Sequence, residues 1–279
     1  MSLENDPLCR LREEEEIPEK QRLAFEEKGH VMFRGLVRPD EMAYIEPYIL
    51  DLVERESYED NIRMKNFRKD GRKEVRLVEN MRHKSEVMHR FSTARKFAKM
   101  AADLMGVESV RVLADHTMFK EPGDRNTAWN QDCNYVAINT DRIISMWLHL
   151  TDLRDGEGAL SFISGSHRLN DRTKGDLRHL NTAIRENMPI ENYGGVSAGD
   201  ATFHAGWTFH SAPDNLTNET RKIIRIMYVD GNARIMNEEE MGHKYAAGIF
   251  TKYFIGMNYG DRLEDPVYPL VYSKKRKIC

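Results

Sequence analysis

The sequence predicts a mainly β protein with flanking α-helices, and two observations carry that prediction. First, short β-like runs recur from about residue 128, at 143–150, 159–163, 201–210 and 223–229. Second, glycine and polar residues separate these runs from one another. Short strands at such spacing are typical of a β-sandwich or a jelly roll, whereas βαβ units alternate strands with longer helical patterns.

The N-terminal half has the pattern of a helical annex with outer strands. A helical segment at 18–28 is followed by Gly29, which is placed to end it as a C-terminal glycine usually does. A strand is predicted at 30–37. Pro39 then opens a second helix, whose apolar residues keep helical spacing as far as Val53.

A charged stretch separates this second helix from the next predicted elements. Residues 55–74 are expected to form a surface excursion or a flap, because they are polar and contain turn residues. Beyond them we expect a strand at 75–78 and a helix that runs from an N-cap at Ser92 to Leu104. A strand over 107–120 follows.

The length of 279 residues suits a single domain. We divide it into a flexible start (1–16), a helical annex with outer strands (17–110), a β core (111–235) and a C-terminal segment (236–279). Within the core, the polar stretch 168–195 predicts a long insert or lid.

Charge and cysteine content exclude some classes of function. The chain has 42 basic and 45 acidic residues, so its net charge of -3 indicates no nucleic-acid or membrane surface. Cys9, Cys133 and Cys279 match no zinc spacing and are odd in number, which favours a reducing compartment. No apolar run reaches about 18 residues, and the N-terminus lacks an apolar signal core. We therefore expect a soluble, cytoplasmic protein.

One pair of segments carries a pattern suited to iron chemistry. Sites that bind ferrous iron through one face use two imidazoles and one carboxylate, and leave positions open for cosubstrate and oxygen. Their sequence pattern is His-x-Asp, a distant His, and an Arg that holds a carboxylate. Asp132 and His210 fit the carboxylate and the distant imidazole. Both Arg221 and Arg225 lie near the next strand, and we select Arg221 as the carboxylate clamp.

A set of segments, in order, resembles the phytanoyl-CoA dioxygenase family of iron(II)- and 2-oxoglutarate-dependent oxygenases. The similarity runs from about Leu23 to Tyr272. Its marks are GHVMFRGL at 29–36, FKEPG at 119–123, WNQDCNY at 129–135, GAL at 158–160, GSHR at 165–168 and GDATFHAGWTFH at 199–210, followed by 215–221 and 228–231. Each segment alone is weak, but the ordered set is specific.

The resemblance implies a fold, cofactors and site residues. The fold would be a double-stranded β-helix, a jelly-roll or cupin-like core flanked by helices. Fe(II), 2-oxoglutarate and O2 would be the cofactors of an oxidation such as hydroxylation of a small molecule, with release of succinate and CO2. By resemblance, Asp132 and His210 are metal ligands and catalytic residues, Arg221 grips the distal carboxylate of 2-oxoglutarate, and Lys120, Gln131 and Trp147 line the pocket.

Asn130 departs from the family pattern, which has histidine at this position. Its amide oxygen is a poorer ligand for ferrous iron than an imidazole nitrogen. Asn130 is therefore a weak or lost ligand, and three readings stay open. It ligates weakly, or His149 or His116 replaces it, or the protein binds its ligands without turnover because the site is impaired. A structural jelly roll without metal is a further alternative.

Overall fold

The computed structural model describes residues 6–65, 76–124, 126–169, 178–241, 254, 256–264 and 266–275. Its helices are α1 (Glu19–Lys28), α2 (Pro39–Lys65), α3 (Glu86–Ser92), α4 (Arg95–Met105), α5 (Arg178–Arg185) and α6 (Glu238–Met241). Its strands are β1 (His30–Phe33), β2 (Arg76–Glu79), β3 (Ser109–Lys120), β4 (Thr127–Asn130), β5 (Ile143–His149), β6 (Ser161–Ile163), β7 (Ile190–Asn192), β8 (Ala201–Ala205), β9 (His210–Ala212), β10 (Arg221–Asp230) and β11 (Leu270–Ser273).

These strands form two antiparallel sheets. The larger has the order β1-β8-β5-β10-β3-β11, with β2 also paired to β3, and the smaller has the order β4-β9-β6-β7. Trp147 and Ile223 of the larger sheet share an apolar cluster with Phe162 and Ala212 of the smaller sheet. The two sheets therefore face each other, as in the double-stranded β-helix that the resemblance implied.

The main apolar core lies on the outer face of the larger sheet, under the helices. Because side chains alternate along a strand, Ile144, Met146 and Leu148 of β5 point into this core. Ser145 and His149 share the opposite, inner face and are also buried. The polar side chains on the inner face of the larger sheet therefore lie between the two sheets. We expect a functional site in this space.

The structure corrects three predicted elements. α2 continues to Lys65, so 55–65 is helical and not a flap, while the prediction for 66–75 lies outside the described residues. Ser92 ends α3 instead of capping α4, because its hydroxyl donates to the buried Asp115 at 3.0 Å. The predicted strand 201–210 divides into β8 and β9, separated by a turn in which Thr208 N donates to Ala205 O.

The first described residues make more contacts with the rest of the chain than their polar composition predicts. Leu8 and Leu11 are buried in the main core, and Asp6 pairs with Arg12 and Arg90. The described residues from Asp6 onward therefore pack against the rest of the chain.

Two further segments join the sheets. Within the predicted insert 168–195, β7 pairs with β6 and so extends the smaller sheet. In the C-terminal segment, β11 pairs with β3 at the edge of the larger sheet. Among the described residues, no helix has the length and apolar character needed to cross a membrane.

Candidate metal centre

Three donor side chains converge between the sheets. Asp132 begins a short 3-10 turn after β4, His204 lies on β8, and His210 begins β9. One donor atom from each lies within 4.8 Å of the others, and all three side chains are buried. Two imidazoles and one carboxylate are the donor set of a facial site for ferrous iron.

The carboxylate of Asp132 is held from both sides by other groups. Its Oδ2 accepts from Ser145 Oγ at 2.6 Å and lies 3.1 Å from His204 Nε2. Its Oδ1 lies 2.7 Å from Arg225 Nη2 and 3.7 Å from His210 Nε2. Burial alone would raise the pKa of Asp132, but Arg225, His210 and His204 outweigh it and hold the pKa well below its usual value. The carboxylate is therefore ionised, as a metal ligand must be.

His210 is oriented so that its Nε2 atom is free to bind a metal. Its Nδ1 lies 3.1 Å from the carbonyl oxygen of Thr208, so Nδ1–H donates and Nε2 keeps its lone pair. Burial and the neighbouring His204 lower the pKa of His210 to about 4. The imidazole is thus neutral at pH 7, with its free nitrogen toward Asp132.

His204 is the member of the group that sequence analysis did not select. Its ring packs against His210, with centroids 4.4 Å apart, and against Phe162 at 5.5 Å. The available signal was its place inside the predicted strand 201–210, six residues before His210. His116 and His149, the two substitutes considered for Asn130, do not belong to the group.

The side-chain nitrogen of Asn130 is hydrogen-bonded to main-chain carbonyl groups. It pairs with His210 across β4 and β9, and its Nδ2 donates to Ala128 O at 2.9 Å and to His210 O at 3.2 Å. Only the amide oxygen of Asn130 is left to face a ligand. His204 supplies a second imidazole, so the donor group is complete without Asn130. The hydrogen bond to His210 O helps to fix the β4–β9 pairing.

A second polar region lies deeper on the inner face, where Arg221 and Lys120 are cross-strand partners. Arg221 Nη1 donates to Gly158 O and Nη2 donates to Pro213 O, both at 2.8 Å. Lys120 Nζ lies 3.5 Å from Pro213 O. Neither cation contacts a carboxylate in the described part of the chain. Burial and Arg221 lower the pKa of Lys120 to about 8. Asp124 and Asp214 partly offset the repulsion between these two buried like charges, although neither forms an ion pair with them. An anion bound beside both cations would offset it directly.

Both cations border a small cavity of about 30 Å³, and Trp147 and His149 also line it. Trp147 is therefore placed where the sequence predicted a pocket wall. Gln131 is not: its buried amide donates to Trp207 O at 2.6 Å and accepts from Asn134. In the structure, Gln131 stabilises the turn that follows Asp132.

A family model described as phytanoyl-CoA dioxygenase (PhyH) matches residues 25–223, which is well over half of the chain. The chain belongs to the phytanoyl-CoA dioxygenase family. This finding confirms the resemblance that the ordered motifs indicated. No curated protein matches the chain.

Several solved structures share the phytanoyl-CoA dioxygenase fold of this chain. The non-heme alpha ketoglutarate dependent carbocyclase SnoK from nogalamycin biosynthesis has a TM-score of 0.74 and 20% identity, with 92% of this chain and 97% of SnoK covered. The epimerase SnoN in complex with Fe3+, alpha ketoglutarate and nogalamycin RO has a TM-score of 0.68 and 22% identity, with 91% and 98% covered. EctD from S. alaskensis with bound Fe has a TM-score of 0.68 and 20% identity, with 94% of each chain covered.

The residues of this phytanoyl-CoA dioxygenase family member suit the groups that its relatives contain. The Asp132, His204 and His210 donors match ferrous iron. The Arg221 and Lys120 cations match the carboxylate of a 2-oxo diacid, because a planar guanidinium and an ammonium both donate to carboxylate oxygens.

Substitution of Gly158 tests the role of the Arg221 and Lys120 cations without changing a charged residue. Its φ is +107°, and an added Cβ would lie 1.7 Å from Arg221 Nη1. We expect Gly158→Ala to displace the guanidinium and to weaken 2-oxoglutarate binding about tenfold or more, with Mn(II) affinity unchanged. Calorimetric titration of the Mn(II)-loaded protein measures both.

Gly156→Ala is the matched control for Gly158→Ala. Gly156 also has a positive φ, of +82°, but an added Cβ there meets nothing within 4 Å. Equal loss of 2-oxoglutarate affinity in both variants would mean that backbone strain, and not the position of Arg221, explains the effect.

Proposed function

We propose that this chain is an oxygenase that uses a metal and 2-oxoglutarate to oxidise a small molecule. One observation carries the proposal. A buried carboxylate and two buried imidazoles lie on the same inner surface as a buried pair of cations that lacks a carboxylate partner in the described residues. Burial of charged groups is costly even when they have partners, and folding alone requires neither group.

Asp132, His204 and His210 would hold the metal, and Ser145 and Arg225 would keep the carboxylate of Asp132 oriented toward it. Contacts of this kind to a ligand residue typically change metal affinity by about 10–100-fold. When bound, ferrous iron with 2-oxoglutarate and O2 supplies the oxidising chemistry, and 2-oxoglutarate leaves as succinate and CO2.

Arg221 and Lys120 would bind the distal carboxylate of 2-oxoglutarate. Arg225 lies four positions after Arg221 on β10, which is about 13 Å along a strand. A five-carbon diacid held at one end by Arg221 therefore extends along the inner face toward Asp132. Trp147 lies opposite Arg225 on the neighbouring strand and borders the cavity beside Arg221, where it would exclude water from the ligand.

A second candidate function is ligand binding without turnover. It is supported by Asn130, which stands where the family has histidine, and by the ion pair that Arg225 already makes with Asp132. In that case Arg225 would act as the permanent counter-ion of the carboxylate, and metal binding would be weak.

Succinate release separates the two functions. The purified chain with Fe(II), 2-oxoglutarate and O2 is expected to form succinate slowly without substrate and faster with a small-molecule substrate from a metabolite screen. A chain that binds Mn(II) and 2-oxoglutarate in a thermal-shift assay but forms no succinate would support binding without turnover. Absence of any shift would overturn both.

The pKa of Lys120 gives the proposal a pH dependence. Because its pKa is about 8 without ligand, and a bound dianion favours the protonated amine, the complex holds more protons than the free protein above pH 8. We expect 2-oxoglutarate affinity to be constant below about pH 8 and to fall by up to about tenfold per pH unit above it. Lys120→Met is expected to bind more weakly and to lose this slope, and the same slope in both proteins would contradict the assignment.

A further inference from the structure

His149 is a buried histidine for which the proposed metal centre has no use. It ends β5, where its backbone N–H donates to Asp200 O at 2.9 Å and its carbonyl accepts from Gly199 N at 2.9 Å. Across the sheet it pairs with Ile223 of β10. These main-chain contacts fix the strand end, and the side chain shares the inner face with Trp147.

Neither ring nitrogen of His149 has a hydrogen-bond partner among the described residues, although the side chain is only 3% exposed. A buried polar group without a partner is destabilising, and native structures rarely keep one without a functional reason. Burial lowers the pKa of His149 to about 4, against the opposing effect of Asp200. The ring is thus neutral, with one N–H to donate and one nitrogen to accept.

The ring borders the small cavity that Arg221 and Lys120 also border. With a volume of about 30 Å³, this cavity holds about two water-sized groups. Two oxygen atoms of one carboxylate are such a pair. Arg221, Lys120 and the His149 N–H are all donors, so the chemistry that satisfies the three together is an anion with several acceptor sites.

We propose that His149 is a binding residue for the distal carboxylate of the cosubstrate, to which its ring N–H donates a third hydrogen bond beside Arg221 and Lys120. This inference rests on the proposed use of 2-oxoglutarate. It assigns His149 to the cosubstrate instead of the metal. It also accounts for the unpartnered ring N–H, because its hydrogen bond forms only when the diacid is present.

Two substitutions separate hydrogen bonding from packing. His149→Leu fills a similar space but cannot donate, whereas His149→Gln keeps an N–H donor. With Mn(II)-loaded protein and 2-oxoglutarate in calorimetry, we expect His149→Leu to bind about 10- to 100-fold more weakly than the wild-type chain. We expect His149→Gln to recover most of the affinity. Mn(II) affinity and the unfolding temperature without ligand report whether each variant is intact, and His83→Ala, at an exposed position, is the neutral control.

Each outcome has one meaning. Wild-type affinity in His149→Leu, or equal losses in the leucine and glutamine variants, would overturn the inference. Failure of the wild-type chain itself to bind 2-oxoglutarate would instead overturn the proposed function. If His149→Leu does not fold, NMR of the ring N–H groups in the unaltered chain decides. A His149 N–H signal that becomes protected on addition of 2-oxoglutarate supports the inference, and one that does not change contradicts it.

Discussion

Replacing Asp132 with alanine is expected to abolish metal binding. The carboxylate lies within 3.7 Å of a nitrogen of both His204 and His210, so it is the group that joins the two imidazoles into one site. Loss of a ligand should weaken Mn(II) binding by more than the roughly 100-fold upper range for loss of a supporting contact. Calorimetric titration of the ligand-free protein measures the effect. An unchanged Mn(II) affinity would show that the metal, if bound, lies elsewhere.

The same substitution should lower stability at neutral pH, because Arg225 loses its carboxylate partner. Removing one member of a buried ion pair costs about 3 kcal/mol or more, and Arg225 is only 15% exposed. The pKa of Asp132 is held well below its usual 3.8, so the carboxylate stabilises the fold above about pH 4 and this contribution is lost as pH falls further. The difference in free energy of unfolding between wild-type and Asp132→Ala should therefore shrink below pH 4.

Ser145→Ala provides the control for this prediction. It removes the hydrogen bonds that Ser145 Oγ donates to Asp132 Oδ2 and accepts from Arg225 Nε, but it keeps the carboxylate and the Arg225 ion pair. We expect its Mn(II) affinity to fall by about tenfold and its stability to change by about 1 kcal/mol. Equal effects of Ser145→Ala and Asp132→Ala would indicate general damage to the site.

Replacing Arg221 with glutamine is expected to remove 2-oxoglutarate binding while leaving metal binding intact. Loss of one partner of a buried, hydrogen-bonded charge pair costs about 2–5 kcal/mol, which corresponds to about 30-fold or more in affinity. Arg221→Lys should not restore the affinity, because an ammonium lacks the planar fork that binds both carboxylate oxygens. Titration of the Mn(II)-loaded variants with 2-oxoglutarate measures this.

The contrast with Asp132 makes the Arg221 prediction specific. Arg221 lies outside the donor group, so Mn(II) affinity of Arg221→Gln should stay within about threefold of the wild-type value. A variant that loses both metal and 2-oxoglutarate would imply that Arg221 supports the fold of the site and not the ligand.

Local rules predicted much of the fold from the sequence. Gly29 adopts the left-handed conformation at the end of α1, as its place after a helical segment predicts. The alternation along β5 also separated the inner Ser145 and His149 from the outer core. Such features depend on neighbours in the chain, so the sequence alone carries them.

His204 was not selected because its position relative to Asp132 depends on a chain reversal that the sequence did not predict. The apolar run 201–210 suggests one strand, in which His204 and His210 would belong to the same sheet. A turn between them instead places His204 in the larger sheet and His210 in the smaller one. Two histidines six residues apart therefore approach Asp132 from facing sheets, and only the tertiary fold shows this.

The sequence also did not predict the side-chain partners of Arg225 and Gln131. Arg221 and Arg225 lie on the same face of β10, and the sequence gives no distance that assigns one to a ligand and the other to Asp132. Gln131 is adjacent to Asp132 in the chain, but the turn directs its amide to Trp207 O. Partner choice depends on contacts between distant segments, which periodicity does not encode.

Mn(II) titration of His204→Ala and Asn130→Ala, side by side, tests the proposed metal centre most directly. If Asp132, His204 and His210 hold the metal, His204→Ala should weaken binding by about 100-fold or more, and Asn130→Ala should stay within about threefold. The free energy of unfolding of each variant, measured in parallel, reports on its fold. Retained Mn(II) affinity in His204→Ala together with its loss in Asn130→Ala would contradict this assignment.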